Sequence, residues 1–110
     1  MPHSVRKLLI DISLACEETK SFCLGKDLAA FQSDRLLQLA IERQFEIIGE
    51  ALYRLEHVDP ENIQVKIPEY RKIIGFRNLI AHGYDTIDDA SLWDFVTNRI
   101  PELLEKIRNY

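Results

Sequence analysis

The stretch from Asp34 to His57 carries apolar residues at helical spacing on two faces, and it constrains the fold more than any other feature. One stripe recurs at steps of three and four residues: Leu37, Ile41, Phe45, Ile48, Leu52 and Leu55. A second apolar set lies opposite, among charged side chains: Leu36, Leu39 and Ile47, with Arg43, Glu46 and Glu50. Asp34 is suited to begin this helix, and Asp59-Pro60 should end it.

The mixed face of this helix has two interpretations, because one small core cannot bury both faces. The first is a homodimer that packs through this helix, with Gly49 permitting close approach of helices at the contact. The second is a central helix buried on two sides within one chain. The sequence alone leaves both interpretations open.

Further helices are predicted on both sides of this one. Apolar residues at helical spacing run from Val5 to Phe22, with Ser4 as a cap and Gly25 as a stop, and Asp27 caps a short turn or helical piece. Pro68 suits the first turn of another long helix, which should end near His82 with Gly83 as its C-terminal cap.

The last predicted helix starts around Asp88 and Asp89 and carries one broad apolar face. Pro101 lacks an N–H group, so it should kink or split this helix near Ile100. No stretch shows the alternating pattern of a strand. Residues 1–110 are therefore predicted to form a single helical domain, an all-α bundle of four to five antiparallel helices.

Composition narrows the function classes. A formal net charge of −4 argues against a general nucleic-acid coat, so any RNA contact must be local. Apolar runs are too short for a membrane span or a signal-peptide core, which predicts a cytoplasmic protein. Cys16 and Cys23 are too far apart on one helix to bridge, and no zinc-ligand spacing appears, so we expect no metal and no cofactor.

The run RNLIAHGY, residues 77–84, brings together side chains suited to RNA chemistry. Cleaving RNA without a metal needs groups that move protons and a cation for the charge developing on phosphate. His82 titrates near neutrality, Arg77 offers a planar fork for phosphate oxygens, and Asn78 could orient either one. Arg77 and His82 lie about 140° apart on an ideal helix, so two copies across a dimer axis would form a composite site.

A plainer interpretation of the same run remains open, since an arginine followed five residues later by a histidine is a common spacing. His82 would then cap helix carbonyls, and Arg77 would form a surface ion pair. Tyr84 would be a half-buried side chain after the helix end.

A wider set of motifs adds to this pattern. RNLIAHGY, the preceding EYRKIIGFRN, the upstream ERQFEIIGEAL and the downstream LWDFVTNRIPELLEKI together resemble the HepT-like branch of the HEPN superfamily over nearly the whole chain. The resemblance implies that residues 1–110 form a single HEPN-like helical domain, and that the protein is a dimeric ribonuclease toxin of a type VII toxin-antitoxin pair. Its partner would be a small nucleotidyltransferase antitoxin that uses ATP, and its substrate would be tRNA or mRNA.

The resemblance also implies residue roles. Arg77 and His82 would be the catalytic pair, Asn78 the polar neighbour, and Tyr84 the hydroxyl that the antitoxin adenylylates. AMP on Tyr84 would place negative charge and bulk two residues from His82.

Other residues are weaker candidates for the site. Glu50 is a possible orienter of Arg77 or His82, Arg43 a possible supporting cation, and Arg71 and Lys72 are possible phosphate contacts. A competing hypothesis is a non-catalytic helical module that binds a nucleotide or a nucleotidyltransferase partner. A dimeric scaffold is a third.

Overall fold

The computed structural model describes residues 3–81 and 88–110, and in these two ranges the chain is helical with no strand. The prediction of an all-α bundle is therefore confirmed. Helix α1 spans His3–Cys23 and buries one face, from Val5 to Thr19, against the rest of the bundle. Gly25 has a φ of 73°, a left-handed conformation that favours glycine, and the helix stops just before it as predicted.

Two aspartates begin the next two helices. Asp27 accepts a hydrogen bond from the Ala30 N–H at 2.9 Å and caps α2, Leu28–Gln32. Asp34 accepts one from the Leu37 N–H at 3.0 Å and caps α3, Arg35–Val58. Both caps are those that the sequence predicts, and α3 is the long helix expected between Asp34 and His57.

The predicted apolar stripe of α3 is buried along its whole length. Helices α1 and α5 both pack against α3. The mixed face stays open in this chain, with Leu36 77% and Leu39 46% exposed and Ile47 only half-buried. Burial on two sides within one chain therefore accounts for Ile47 only in part and leaves Leu36 and Leu39 uncovered.

The segment after α3 differs from the prediction. Asp59-Pro60 ends α3, but Pro60 also begins a short helix, α4, Pro60–Lys66, which the sequence reading treated only as a break. Proline suits a first helical position because the N–H group that it lacks would have no partner there. Ile63 is fully buried and holds α4 on the core.

Helix α5 spans Tyr70–Ala81 and begins two residues after Pro68 rather than around it. The Glu69 carbonyl accepts hydrogen bonds from the N–H groups of Lys72 and Ile73, so Glu69 takes the capping position. The predicted cap at Gly83 lies outside the described residues.

The last helical run is interrupted as predicted. Helix α6, Asp89–Asp94, passes through a π-helical turn, Phe95–Arg99, into α7, Ile100–Arg108. The Ile100 N–H donates to the Phe95 carbonyl, five residues back, and the next residue, Pro101, has no N–H to donate. The change of helix type therefore occurs just before the proline.

An aromatic cluster joins three elements beside the end of α5. The Phe76 ring of α5 stacks on Phe95 of the π turn, with centroids 4.5 Å apart, and meets Phe45 of α3 edge-on at 5.7 Å. At the other end of the bundle, Lys106 and Tyr110 bind Glu69 and Asp59 respectively. None of the helices in the described ranges is long and apolar enough to cross a membrane.

Candidate active site

Helices α3 and α5 run antiparallel and approach each other closely at Gly49. A Cβ atom at this position would lie 2.6 Å from Cγ and 2.8 Å from Cβ of Arg77. Every residue other than glycine would therefore collide with the arginine stem. Gly49 does permit close helix approach, but to α5 of the same chain, which corrects the expectation that it would serve a dimer contact.

Arg77 is held by two neighbours. One terminal nitrogen donates to Oε2 of Glu50 at 3.0 Å, and the other donates to Oδ1 of Asn78 at 2.7 Å. The side chain is 27% exposed, so it is largely covered but still reaches the surface. Its Nε atom is buried and has no hydrogen-bond partner within the described ranges. The structure thus fixes a cation at this point of the surface.

Glu50 links two arginines. Its Oε2 accepts from Arg77 on α5, and its Oε1 accepts from Nε of Arg54, one turn further along α3, at 2.9 Å. The sequence suggested Glu50 as a residue that orients Arg77, and the carboxylate is in direct contact with that guanidinium. Arg54 was missed, although its spacing of four residues from Glu50 is a signal for such a pair.

The remaining candidates lie apart from Arg77. Arg43 is on the same outward face of α3, but its hydrogen bond goes to Glu46 at 3.2 Å. Arg71 binds Glu56 and the Tyr70 hydroxyl. Lys72 lines a cleft of about 870 Å³ between α5 and the last helical run. Arg71 and Lys72 point about 120° and 140° away from Arg77 around α5, so these three cations do not form one patch.

Three side chains that are hydrogen-bonded to one another lie where α5 begins. The Tyr70 ring is buried, its hydroxyl donates to Oε2 of Glu56, and Nε of Arg71 donates to the same carboxylate at 3.3 Å. The hydrogen bond from Tyr70, followed by the bond from Arg71, lowers the pKa of Glu56. The bond to Glu56 in turn raises the pKa of Tyr70. We call Glu56, Tyr70 and Arg71 the clamp, because they tie the end of α3 to the start of α5.

His82 and Tyr84 lie outside the described residues. Within the described ranges, no group of three or more histidine, cysteine or acidic side chains is arranged to hold a metal ion. Burial raises the pKa of the Cys16 thiol to about 12, so this cysteine stays protonated and is no nucleophile at neutral pH.

Known proteins resemble the chain over nearly its full length. "Probable ribonuclease HepT" of Thermococcus cleftensis is 32% identical over 111 residues, covering 98% of this chain and 99% of that protein. A "putative RNase" of Caldanaerobacter subterraneus is 30% identical, and the match covers 94% of this chain and 90% of that protein. A "putative RNase" of Methanocaldococcus jannaschii is 27% identical, and the match covers 96% of this chain and 94% of that protein.

No solved structure matches the chain. The sequence model of the family described as "Ribonuclease HepT-like" matches residues 12–110. This match includes α3, α5 and the whole RNLIAHGY run. The chain therefore belongs to the HepT-like ribonuclease family.

Proposed function

We propose that this ribonuclease is a metal-independent endoribonuclease that acts as the toxin of a toxin-antitoxin pair in the cytoplasm. Its substrate is tRNA or mRNA, and Arg77 and His82 carry the reaction. The observation that carries the proposal is the fixed position of Arg77. Gly49 leaves room for its stem, Glu50 and Asn78 hold its terminal nitrogens, and the side chain stays 27% exposed.

Arg77 supplies the charge that the reaction needs. When the 2′-oxygen attacks the neighbouring phosphorus, negative charge grows on the phosphate oxygens, and the bond to the 5′-oxygen breaks. A guanidinium that is already oriented stabilises this charge without first rearranging. Asn78 limits the rotation of that guanidinium, and Glu50 holds it from α3.

His82 supplies the proton transfers. An imidazole near neutrality takes the proton of the 2′-hydroxyl, and an imidazolium returns one to the leaving 5′-oxygen. On an ideal helix Arg77 and His82 of one chain diverge, so a site built from two copies would let them converge.

The uncovered face of α3 supports a homodimer. Leu36 and Leu39 are exposed there beside the Arg43–Glu46 ion pair, and the Glu50–Arg77 contact opens onto the same side of α3. A second copy packed on α3 and α5 would cover the two leucines and bring two Arg77 side chains into one cleft.

The control point is Tyr84. In this proposal a nucleotidyltransferase antitoxin transfers AMP from ATP. The Tyr84 oxygen bonds to the α-phosphorus, pyrophosphate leaves, and the phenolic proton is released. The attached phosphate repels an RNA phosphate, and the nucleoside blocks access to His82.

The test uses the purified chain and its His82→Ala and Arg77→Ala variants. We expect the wild-type chain to cleave RNA in the presence of EDTA, and both variants to fold and lose cleavage. Expression of the wild-type chain alone should arrest growth. Cleavage that is abolished by chelation, or toxicity that survives both substitutions, would contradict the proposal. Intact-mass measurement after co-expression with the antitoxin should show added AMP that Tyr84→Phe abolishes.

The alternative is a non-catalytic module that binds a nucleotide or a nucleotidyltransferase. Membership of a ribonuclease family favours the enzyme. The module would be supported if the pure chain left tRNA and mRNA intact but bound a nucleotide or the partner tightly.

A further inference from the structure

A groove lies between the start of α1 and the end of α3. Its volume is about 390 Å³, and its lining residues include Lys7, Leu8, Tyr53, Arg54, His57 and Val58. Tyr53 and Val58 are about half exposed, at 49% and 47%, so the groove opens to solvent along a mostly apolar floor. Nothing in the proposed chemistry at Arg77 uses these side chains.

Two aromatic rings form one wall of the groove. The rings of Tyr53 and His57 lie 4.6 Å apart at an interplanar angle of 57°. His57 Nδ1 lies 2.9 Å from the Tyr53 carbonyl oxygen, and because a carbonyl only accepts, Nδ1–H is the donor. This bond fixes the orientation of the His57 ring and does not involve Nε2. Because the two rings are tilted, they do not form one flat face, and the half-exposed Tyr53 ring, held beside His57, is the platform on which a flat base can stack.

Two cations line the same groove as this platform. The side chains of Lys7 and Arg54 are 62% and 67% exposed, and both line the groove. Their acidic partners, Asp11 and Glu50, are not among the lining residues. Exposed aromatic rings between cations are the usual arrangement for single-stranded nucleic acid, in which bases stack and phosphates pair with the cations.

Arg54 links the groove to the candidate active site, because it lines the groove and binds Glu50. Glu50 binds Arg77 through one oxygen and Arg54 through the other. Residues 50, 53, 54 and 57 lie along one side of α3, and the rise from Glu50 to His57 is about 10 Å. A strand whose phosphate lies at Arg77 would thus reach the groove with a neighbouring nucleotide.

We propose that the groove at Tyr53 and His57 binds an unpaired base of the RNA substrate, next to the phosphate held at Arg77. This inference rests on the proposed function, because it takes Arg77 as the phosphate site. The groove gives the enzyme a preference for single-stranded segments, since a paired base cannot leave its helix to stack there without loss of pairing.

The test measures binding of the full wild-type chain to a labelled single-stranded RNA whose 2′-hydroxyls are methylated. Such an RNA has no free nucleophile and stays intact. We expect Tyr53→Ala to weaken binding about tenfold, because the aromatic platform is lost, and Tyr53→Phe to keep most of it. Val65→Ala is the matched control, because Val65 is 76% exposed on α4 and lies outside the groove.

An abasic nucleotide makes the test sharper. Replacing the base beside the scissile phosphate should weaken binding to the wild-type chain and leave binding to Tyr53→Ala nearly unchanged, because that variant has no platform to lose. Equal losses for both proteins would overturn the proposal. A dimer that dissociates in Tyr53→Ala, measured by light scattering, would also overturn it and assign the groove to a second copy.

The outcomes separate this inference from the proposed function. If the wild-type chain cleaves RNA through Arg77 and His82 while Tyr53→Ala binds normally, only the groove is wrong. If the chain cleaves no RNA but the abasic and Tyr53→Ala effects appear, the groove stands as a base-binding site and the endoribonuclease proposal fails.

Discussion

Two ionic contacts join α3 to α5, and they distribute burial in opposite ways. In the clamp, the glutamate is the more buried partner, with the Glu56 side chain 28% and the Arg71 side chain 76% exposed. At the candidate site, the arginine is the more buried partner, with the Arg77 side chain 27% and the Glu50 side chain 44% exposed. The two contacts lie at different levels of the same antiparallel pair of helices.

The two contacts also differ in how fully their polar groups are used. In the clamp, Glu56 accepts from both the Tyr70 hydroxyl and Arg71. At the site, Arg77 keeps a buried Nε without a partner within the described ranges, which is a cost of about 1–3 kcal/mol. The clamp is arranged for holding helices together, whereas the site retains an incompletely partnered cation. The first contact ties the helices together, and we infer that the second serves the chemistry proposed for Arg77.

Removal of Arg77 should have the largest effect on activity. Arg77→Ala is expected to lower the RNA cleavage rate about 10²- to 10³-fold, because the charge developing on phosphate loses its preoriented donor. The matched control is Arg99→Ala, which breaks an arginine–glutamate pair of 2.9 Å outside the site. Single-turnover cleavage measures both rates, and equal losses in the two variants would refute a special role for Arg77.

Adding one methyl group should test the close approach of the helices. Gly49→Ala places a Cβ 2.6 Å from Arg77 Cγ and is expected to cost about 1–3 kcal/mol of unfolding free energy, with lowered cleavage because Arg77 must shift. Gly75→Ala is the control, because its Cβ meets nothing within 4 Å. It should gain about 0.5–1 kcal/mol and leave the site unchanged. Urea unfolding measures the unfolding free energies of both variants. If α3 and α5 can move apart at little cost, the two variants should have the same unfolding free energy.

Loss of the charge on Glu50 should have a smaller effect. Glu50→Gln keeps a hydrogen-bond acceptor for Arg77 but removes the anion, so we expect cleavage to fall about tenfold and the unfolding free energy to change by less than about 1 kcal/mol. Glu102→Gln is the matched control, since Glu102 pairs with Arg99 outside the site and away from the open face of α3. If both variants cleave like the wild-type chain, Glu50 does not orient Arg77.

The sequence predicts most of this fold because its signals are local. Asp27, Asp34 and Gly25 act within one helical turn, and the stripe of α3 follows from spacing alone. The α4 helix escaped prediction because Pro60 is both a stop for one helix and a favourable start for the next. Signals that serve two neighbouring elements are ambiguous without the packing that buries Ile63.

The candidate site is less predictable because its contacts join distant parts of the chain. Arg77 and Asn78 could be singled out as residue types suited to the chemistry. The contact of Arg77 with Gly49, 28 residues earlier, depends on how two helices cross, which spacing along one helix cannot show. For the same reason the clamp was missed, although Glu56, Tyr70 and Arg71 are all visible in the sequence.

The smallest expected effect is the pH dependence of the clamp. The pKa of Glu56 is lowered in the folded chain, chiefly by the Tyr70 hydrogen bond, so its contribution to stability is present above the ordinary value of 4.5 and is lost as pH falls through the lowered value. The pKa of Tyr70 is raised, so its contribution is present below the ordinary value of 10 and is lost as pH rises through the raised one. Glu56→Gln should remove the loss of stability at low pH and reduce the loss of stability at high pH. The unfolding free energies of this variant and the wild-type chain should therefore differ most at pH values between the lowered pKa of Glu56 and the raised pKa of Tyr70. Below the first and above the second, the two free energies should converge. Glu50→Gln is the comparison variant, because Glu50 lies in the other contact between α3 and α5. If the difference in unfolding free energy between Glu56→Gln and the wild-type chain stays constant across pH, the clamp does not hold the helices through its charge.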